Sequence, residues 1–416
     1  MIRRAWWVVL TLAVVIAAQW MTARGQAGLV VEKEMVAGNP TLYVAAVGES
    51  RGVVLVLHGF GGSKEMMQHW GHALARRGFD AYIPDLPGHG AQTAPLADPG
   101  AAVSRMVAEL VAAGRAEPER VALLDHANRN PLAPLYDEAA VARVADGLYR
   151  AFGAEPPAAS PSPRSLVWLL LGLTGGLGAM FAVAALVQPG SRAGSRRQRP
   201  IGLITGLAGV AVSLLSAVLA AVYLRVPQVG VAVLDYMVPY FLVAAAVLLL
   251  LRVLWPREFG APPWGGEERL WAAVLRGLAV ALAFLGALVP VIHQNVTYFV
   301  PTVPRILPLV AMGLTYGLYA VQEEGLKRAV AGGPSPGGFL MGLAAKALMA
   351  ATWMGAGVLP HPPEHLPAVV PVAVAVLVAL EIVNWALGAL RLSAVSVALV
   401  NAVVVGWTAA LLLPLV

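Results

Sequence analysis

From Ser165 onward the chain is almost entirely apolar runs long enough to cross a membrane. Segments 165–187, 201–224, 231–255, 270–293, 305–321, 338–360, 367–390 and 393–414 follow one another with short polar breaks. About 20 apolar residues cross a bilayer as a helix, so the spacing predicts eight crossings. These 252 residues hold only 14 Lys/Arg and 8 Asp/Glu. Eight successive helices with so few charges have no polar face to turn towards water, which excludes an ordinary soluble globule. The fifth run is short and is interrupted by Pro308 and Gly313. A ninth run, Ala5–Ala23, follows Arg3 and Arg4. Its length suffices for a crossing and no clean A-x-A site closes it, so residues 1–23 are expected to form an uncleaved signal anchor, with a cleaved signal peptide as the alternative.

Residues 24–164 are different. They carry 13 Lys/Arg and 15 Asp/Glu, a normal soluble density. The chain is therefore bipartite: a water-soluble domain over 24–153, a Pro/Ala/Ser-rich linker over 154–164, and an all-α polytopic membrane domain over 165–416. The net charge of +6 does not signal nucleic-acid binding, because the soluble part is slightly acidic. The excess lies at Arg3, Arg4 and between the apolar runs, where basic residues set membrane orientation. With the N-terminus inside, 11 Lys/Arg flank the runs on the inner side (Arg192, Arg196, Arg197, Arg199, Arg252, Arg257, Arg269, Arg276, Lys327, Arg328, Arg391). Only Arg225 and Arg305 fall outside. The soluble domain is then extracytoplasmic. Zero cysteines exclude disulfides, thiolate metal sites and cysteine nucleophiles.

Within the soluble part, Val53–Leu57 is a continuous apolar run of the kind a buried parallel strand needs. His58-Gly59-Phe60-Gly61-Gly62-Ser63 follows, then an amphipathic stretch Lys64–Arg77. Such a turn presents backbone N–H groups at a helix N-terminus, where negative charge is stabilised. A second strand, Ala81–Pro84, ends in Asp85-Leu86-Pro87-Gly88-His89-Gly90; a helix near 101–114 leads to a third, Glu119–Leu124. The β-α-β-α-β order implies α/β architecture with a partial doubly wound parallel sheet.

Val53–Ser63 resembles the strand and oxyanion loop of α/β-hydrolases, and Asp85–Gly90 resembles the D-x-x-G-H-G turn after their next strand. Tyr136–Gly153 is similar to the helix that closes those domains. The resemblance covers about 28–153, and it implies an α/β-hydrolase-like domain fused to a multi-pass membrane region. It also implies an oxyanion loop at Gly59, Phe60 and Gly61, the N–H of Phe60 facing the tetrahedral intermediate; losing such a donor costs ~3 kcal/mol. His58 and His89 are expected to bond backbone rather than act as bases.

The nucleophile is missing. No G-x-S-x-G follows the strand Glu119–Leu124, where the elbow would stand. Set against the elbow, Asp125 replaces a glycine, Ala127 the serine, and Arg129 and Asn130 later glycines. Alternatively, His126 with Asn130–Tyr136 resembles the loop bearing the catalytic histidine, which would make His126 the general base; an ordinary loop histidine remains open. Either way the domain is much shorter than the family's. Among its serines, Ser63 is nearest the glycine loop, where an N-cap role is expected.

Three ionisable or polar residues fall inside predicted spans: Lys346, Glu381 and Asn384. A central charge costs ~3 kcal/mol on insertion, so a Lys346–Glu381 pair facing the bundle interior is expected, with a proton or substrate path as the alternative. Glu323-Glu324-x-x-x-Arg328 resembles the first motif of CAAX-type intramembrane metalloproteases. The later helices lack the histidines such a metal site requires, so a charged helix end is expected instead. No metal or other cofactor is expected. Three functions remain: a membrane-bound hydrolase of small esters, lipids or peptides; a non-catalytic hydrolase-like domain on a membrane scaffold that binds a lipid or partner; and a transporter or CAAX-protease-like protein. The lipid bilayer is the one partner common to all.

Overall fold

The computed structural model describes residues 2–125, 138–153, 165–188, 201–223, 230–262, 269–331, 335–357 and 365–416. His126, Ala127, the linker 154–164 and the loop arginines 192–199 lie outside the described residues. The chain divides into two compact units.

One unit comprises Val9–Leu177, Gly286–Thr302 and Leu411–Val416. It contains most of α1 (Ile2–Arg24), then β1 (Val31–Val36), β2 (Asn39–Val44), β3 (Val53–Leu57), α2 (Lys64–Ala75), β4 (Asp80–Pro84), α3 (Pro99–Ala112), β5 (Val121–Asp125) and α4 (Glu138–Ala151). The sheet order is β1-β2-β4-β3-β5. Strands β4, β3 and β5 are parallel, as the β-α-β-α-β reading requires, while β1 and β2 are antiparallel additions that make the sheet mixed. A two-residue turn at Ala37-Gly38, both at positive φ, joins that hairpin.

Helices cover both faces. Trp70 and Leu74 of α2 and Val141, Ala145 and Tyr149 of α4 pack on Val54, Val56, Ala81 and Ile83. On the other face Val103, Met106 and Leu110 of α3 meet Val53, Leu55, Leu57 and Tyr82. β3 is buried at every position because helices lie on both sides of it.

The second unit comprises Met1–Val8, Gly178–Leu285 and Val303–Ala410. The helices contributing to it are α5 (Ser165–Val187), α6 (Leu203–Tyr223), α7 (Leu234–Leu254), the short α8 (Pro256–Phe259), α9 (Leu270–Asn295), α10 (Val303–Ala331), α11 (Pro336–Ala356), α12 (Leu366–Ala389) and α13 (Ala394–Leu412). Among the described residues nine helices are long and apolar enough to cross a membrane. The fifth run is the main difference from expectation: α10 has 29 residues and continues through Glu323, Glu324, Lys327 and Arg328. Pro308 falls near its start, where a missing N–H disturbs few bonds. Arg252, Arg257, Arg276, Lys327 and Arg328, expected in inner-side loops, lie in helices, as does Arg305. Arg252 is buried, and its guanidinium donates to the carbonyls of Gly260, Ala261 and Gln322, acceptors that compensate its desolvation.

Candidate functional site

The glycine loop between β3 and α2 is built around Asp85, which is fully buried. Its Oδ1 accepts from the backbone N–H of Lys64 at 2.7 Å. Its Oδ2 accepts from Lys64 Nζ and from the N–H of Ala91 at 2.8 Å. Gly90, at φ +54, lies so close that a Cβ would sit 2.3 Å from Asp85 Oδ1. The D-x-x-G-H-G turn therefore wraps around its own carboxylate, and only glycine fits there.

Asp85, not Ser63, caps the first N–H of α2. Ser63 does stand at the N-cap position, but its side chain makes no cap bond. Its buried Oγ accepts from the N–H of Tyr298 at 2.7 Å and lies 3.2 Å from Thr297 Oγ1. The expected N-cap bond is thus replaced by contacts to residues more than 230 positions away, which no local pattern reveals.

Burial alone would lower the Lys64 ammonium, but the Asp85 and Glu65 carboxylates outweigh it and hold the group above its usual value. Glu65 is pushed up by burial and by Asp85, while its 3.2 Å contact with Lys64 pulls the other way. His58 Nε2 accepts from the N–H of Leu86 at 3.1 Å, so Nδ1 carries the proton and donates to Gly59 O at 2.9 Å. Burial keeps that ring below the ordinary histidine range, hence neutral. His89 Nδ1 donates to Pro87 O at 2.9 Å. Both rings bond backbone.

Phe60 is 44% exposed and Gly59 half-buried. Gly61, at φ +74, faces the chain itself: a Cβ there would lie 2.9 Å from Leu412 O. Leu415 pairs by two 2.8 Å backbone bonds with Gly88 and Leu96, beside the second turn. Lys64 Nζ stands 5.0 Å from the Tyr298 ring centre, and Gln68 donates to the carbonyl of Gln294. The two turns are thus lined by segments 294–298 and 412–415. Asp125 ends β5, exposed, in register with Leu57.

A separate polar cluster lies within the helical unit. Glu323, Glu324, Lys327, Lys346, Glu381 and Asn384 are all buried. Lys346 Nζ donates to both oxygens of Glu323 at 2.5 Å and lies 3.9 Å from Glu381. Glu381 takes its close bond from Lys327 at 2.6 Å, and Lys327 also meets Glu324 at 2.7 Å. The expected Lys346–Glu381 pair is therefore the loose contact of a network across α10, α11 and α12. Glu323 and Glu324 belong to its interior rather than to a solvated helix end. Gly342 makes room for the Glu381 carboxylate, since a Cβ there would fall 2.2 Å from it. A cavity of about 20 Å³, room for about one water, adjoins Glu381 and Asn384.

A family model described as alpha/beta hydrolase fold matches residues 52–120. Among solved structures an epoxide hydrolase from Vigna radiata shares 29% identity over 20% of this chain, with a TM-score of 0.16. The match spans 27% of that enzyme's chain, about a quarter of its length. No curated protein matches. The family match, running from the end of the β2–β3 connection to the threshold of β5, supports an α/β-hydrolase domain in this part of the chain.

Proposed function

We propose that the hydrolase-fold domain is a non-catalytic module of a multi-pass membrane protein, and that its glycine loop seats segments of its own chain. The observation that carries this is the bonding of Ser63. A serine nucleophile needs a base to take its proton. Here the hydroxyl accepts from Tyr298 N–H and is otherwise paired with the Thr297 hydroxyl. The neighbouring His58 and Asp85 are committed to backbone and to Lys64. Groups that could have reacted instead fix the two turns.

Substrate hydrolysis outside the membrane is the competing outcome, and active-site labelling separates the two. The purified full-length protein, treated with a fluorophosphonate beside an active serine hydrolase, is expected to label no more than its heat-denatured form. Stoichiometric labelling, with the adduct located on Ser63 by mass spectrometry, overturns the proposal. Ser63→Ala should cost about 1 kcal/mol through the lost buried hydrogen bonds and change no hydrolytic activity.

A further inference from the structure

Between the β2–β3 connection, the end of α2 and Phe152–Gly153 lies a cleft of about 410 Å³. Arg51, Arg76, Arg77 and Arg120 line it, and Glu49 is the one carboxylate among the lining residues. Arg120 has an exposed partner, Glu117, at 3.3 Å. The other three guanidiniums bond neutral carbonyls: Arg51 to Arg77 O at 3.4 Å, Arg77 to Ala73 O at 3.0 Å, Arg76 to Gly25 O at 2.8 Å. Arg76 also reaches Ala27 O at 3.4 Å and Arg51 lies 5.6 Å from the Tyr149 ring centre; a guanidinium carries five N–H donors, so these contacts leave donors for a ligand. Gly48 and Gly153 have open space where a side chain would stand, which lets a ligand approach backbone.

Four like charges around one concavity concentrate positive potential, and an anion is the species it draws. Forked N–H donors match the oxygens of a phosphate better than they match a point anion. Position adds the source. Gly25, the carbonyl partner of Arg76, is the first residue beyond α1, and the Arg24 guanidinium lies 3.6 Å from the Trp20 ring centre. Trp and Arg at the end of an apolar helix mark the headgroup level of a membrane.

We propose that this cleft is a phosphate-binding site and that its ligand is the phosphate of an anionic phospholipid headgroup. The headgroup half rests on α1 crossing the membrane; the phosphate half does not. In detergent, the full-length protein is offered equal phosphatidylglycerol and phosphatidylcholine, and native mass spectrometry counts the lipid retained. Phosphatidylglycerol should be favoured about tenfold, a difference of about 1.4 kcal/mol. Arg51→Gln with Arg120→Gln should bring the ratio close to one. Arg105→Gln with Arg143→Gln, which removes equal charge from exposed sites on α3 and α4, should leave it unchanged. Glu49→Gln should raise it. Inorganic phosphate titrated in a second arm distinguishes the sources. Arginine-dependent phosphate binding without lipid preference keeps the site and overturns the headgroup assignment. Retention of both ligands that ignores the Arg51/Arg120 substitutions overturns the site itself.

Discussion

Histidine burial on α2 sets a pH response at the level of single residues. His69 is lowered to about 4 by burial, and His72 to about 3 by burial with His69 and Arg76 nearby. Both lie below the ~6.5 of an unfolded chain, so the unfolded state takes up protons first as pH falls. Their neutral burial costs nothing above pH ~6.5 and destabilises progressively below it. The melting temperature of the purified protein should therefore drop between pH 7 and pH 5. His69→Gln with His72→Gln should shrink that drop. An identical pH dependence in the double variant would show that the acid response originates elsewhere. The same paragraph of sequence, His58 to His89, shows how far single residues can be read. The backbone roles of His58 and His89 follow from their place in tight turns. The hub role of Asp85 does not, because Lys64 reaches it only once β3 and β4 pair.

At the scale of elements, α10 is where charge and helix length meet. Its apolar pattern fades after residue 321, yet the helix continues because Glu323, Glu324, Lys327 and Arg328 all find partners. Glu324 meets Lys327 and Arg328 one turn on, and Glu323 and Lys327 reach across to α11 and α12. Buried ion pairs of this sort are strongly destabilising to break singly, by about 3–5 kcal/mol, and mild to replace together. Lys346→Met alone should be costly. Adding Glu323→Gln should restore more stability than adding Glu381→Gln, since the distances are 2.5 Å against 3.9 Å. Double-mutant cycles on thermal unfolding measure both couplings, and a larger coupling to Glu381 would refute this assignment. Elsewhere the elements pack by omission of side chains: Gly406 of α13 and Gly313 of α10 approach so closely that a Cβ on Gly406 would lie 2.7 Å from the Gly313 Cα. Gly313 looks like an interruption in the sequence and is in fact a helix contact.

For the whole molecule, composition predicts the architecture because a long apolar run has few alternatives. Over the described residues the predicted spans agree with the helices within a few residues, apart from the C-terminal end of α10, which runs ten residues further. The β1–β2 hairpin escaped because Glu32-Lys33-Glu34 puts three charges in succession on an edge strand, erasing the alternation that signals a sheet. The contacts of Ser63 with Thr297 and Tyr298 escaped because they join segments that only the tertiary fold brings together. Orientation is the remaining global property, and loop charge is what decides it. Arg252, Arg257, Arg276, Lys327 and Arg328 lie in helices, as does Arg305, which leaves Arg192, Arg196, Arg197, Arg199, Arg269 and Arg391 against Arg225 between the apolar runs. A reporter active only in the cytoplasm should therefore work when fused after Gly194 or Gly332 and be silent after His361. A reporter of the opposite compartment should work within the hydrolase-fold domain, for example after Gly114, at an open turn after α3 where nothing crowds the backbone. Cytoplasmic activity at His361 with silence at Gly194 would invert the topology and place the arginine cleft against the inner leaflet.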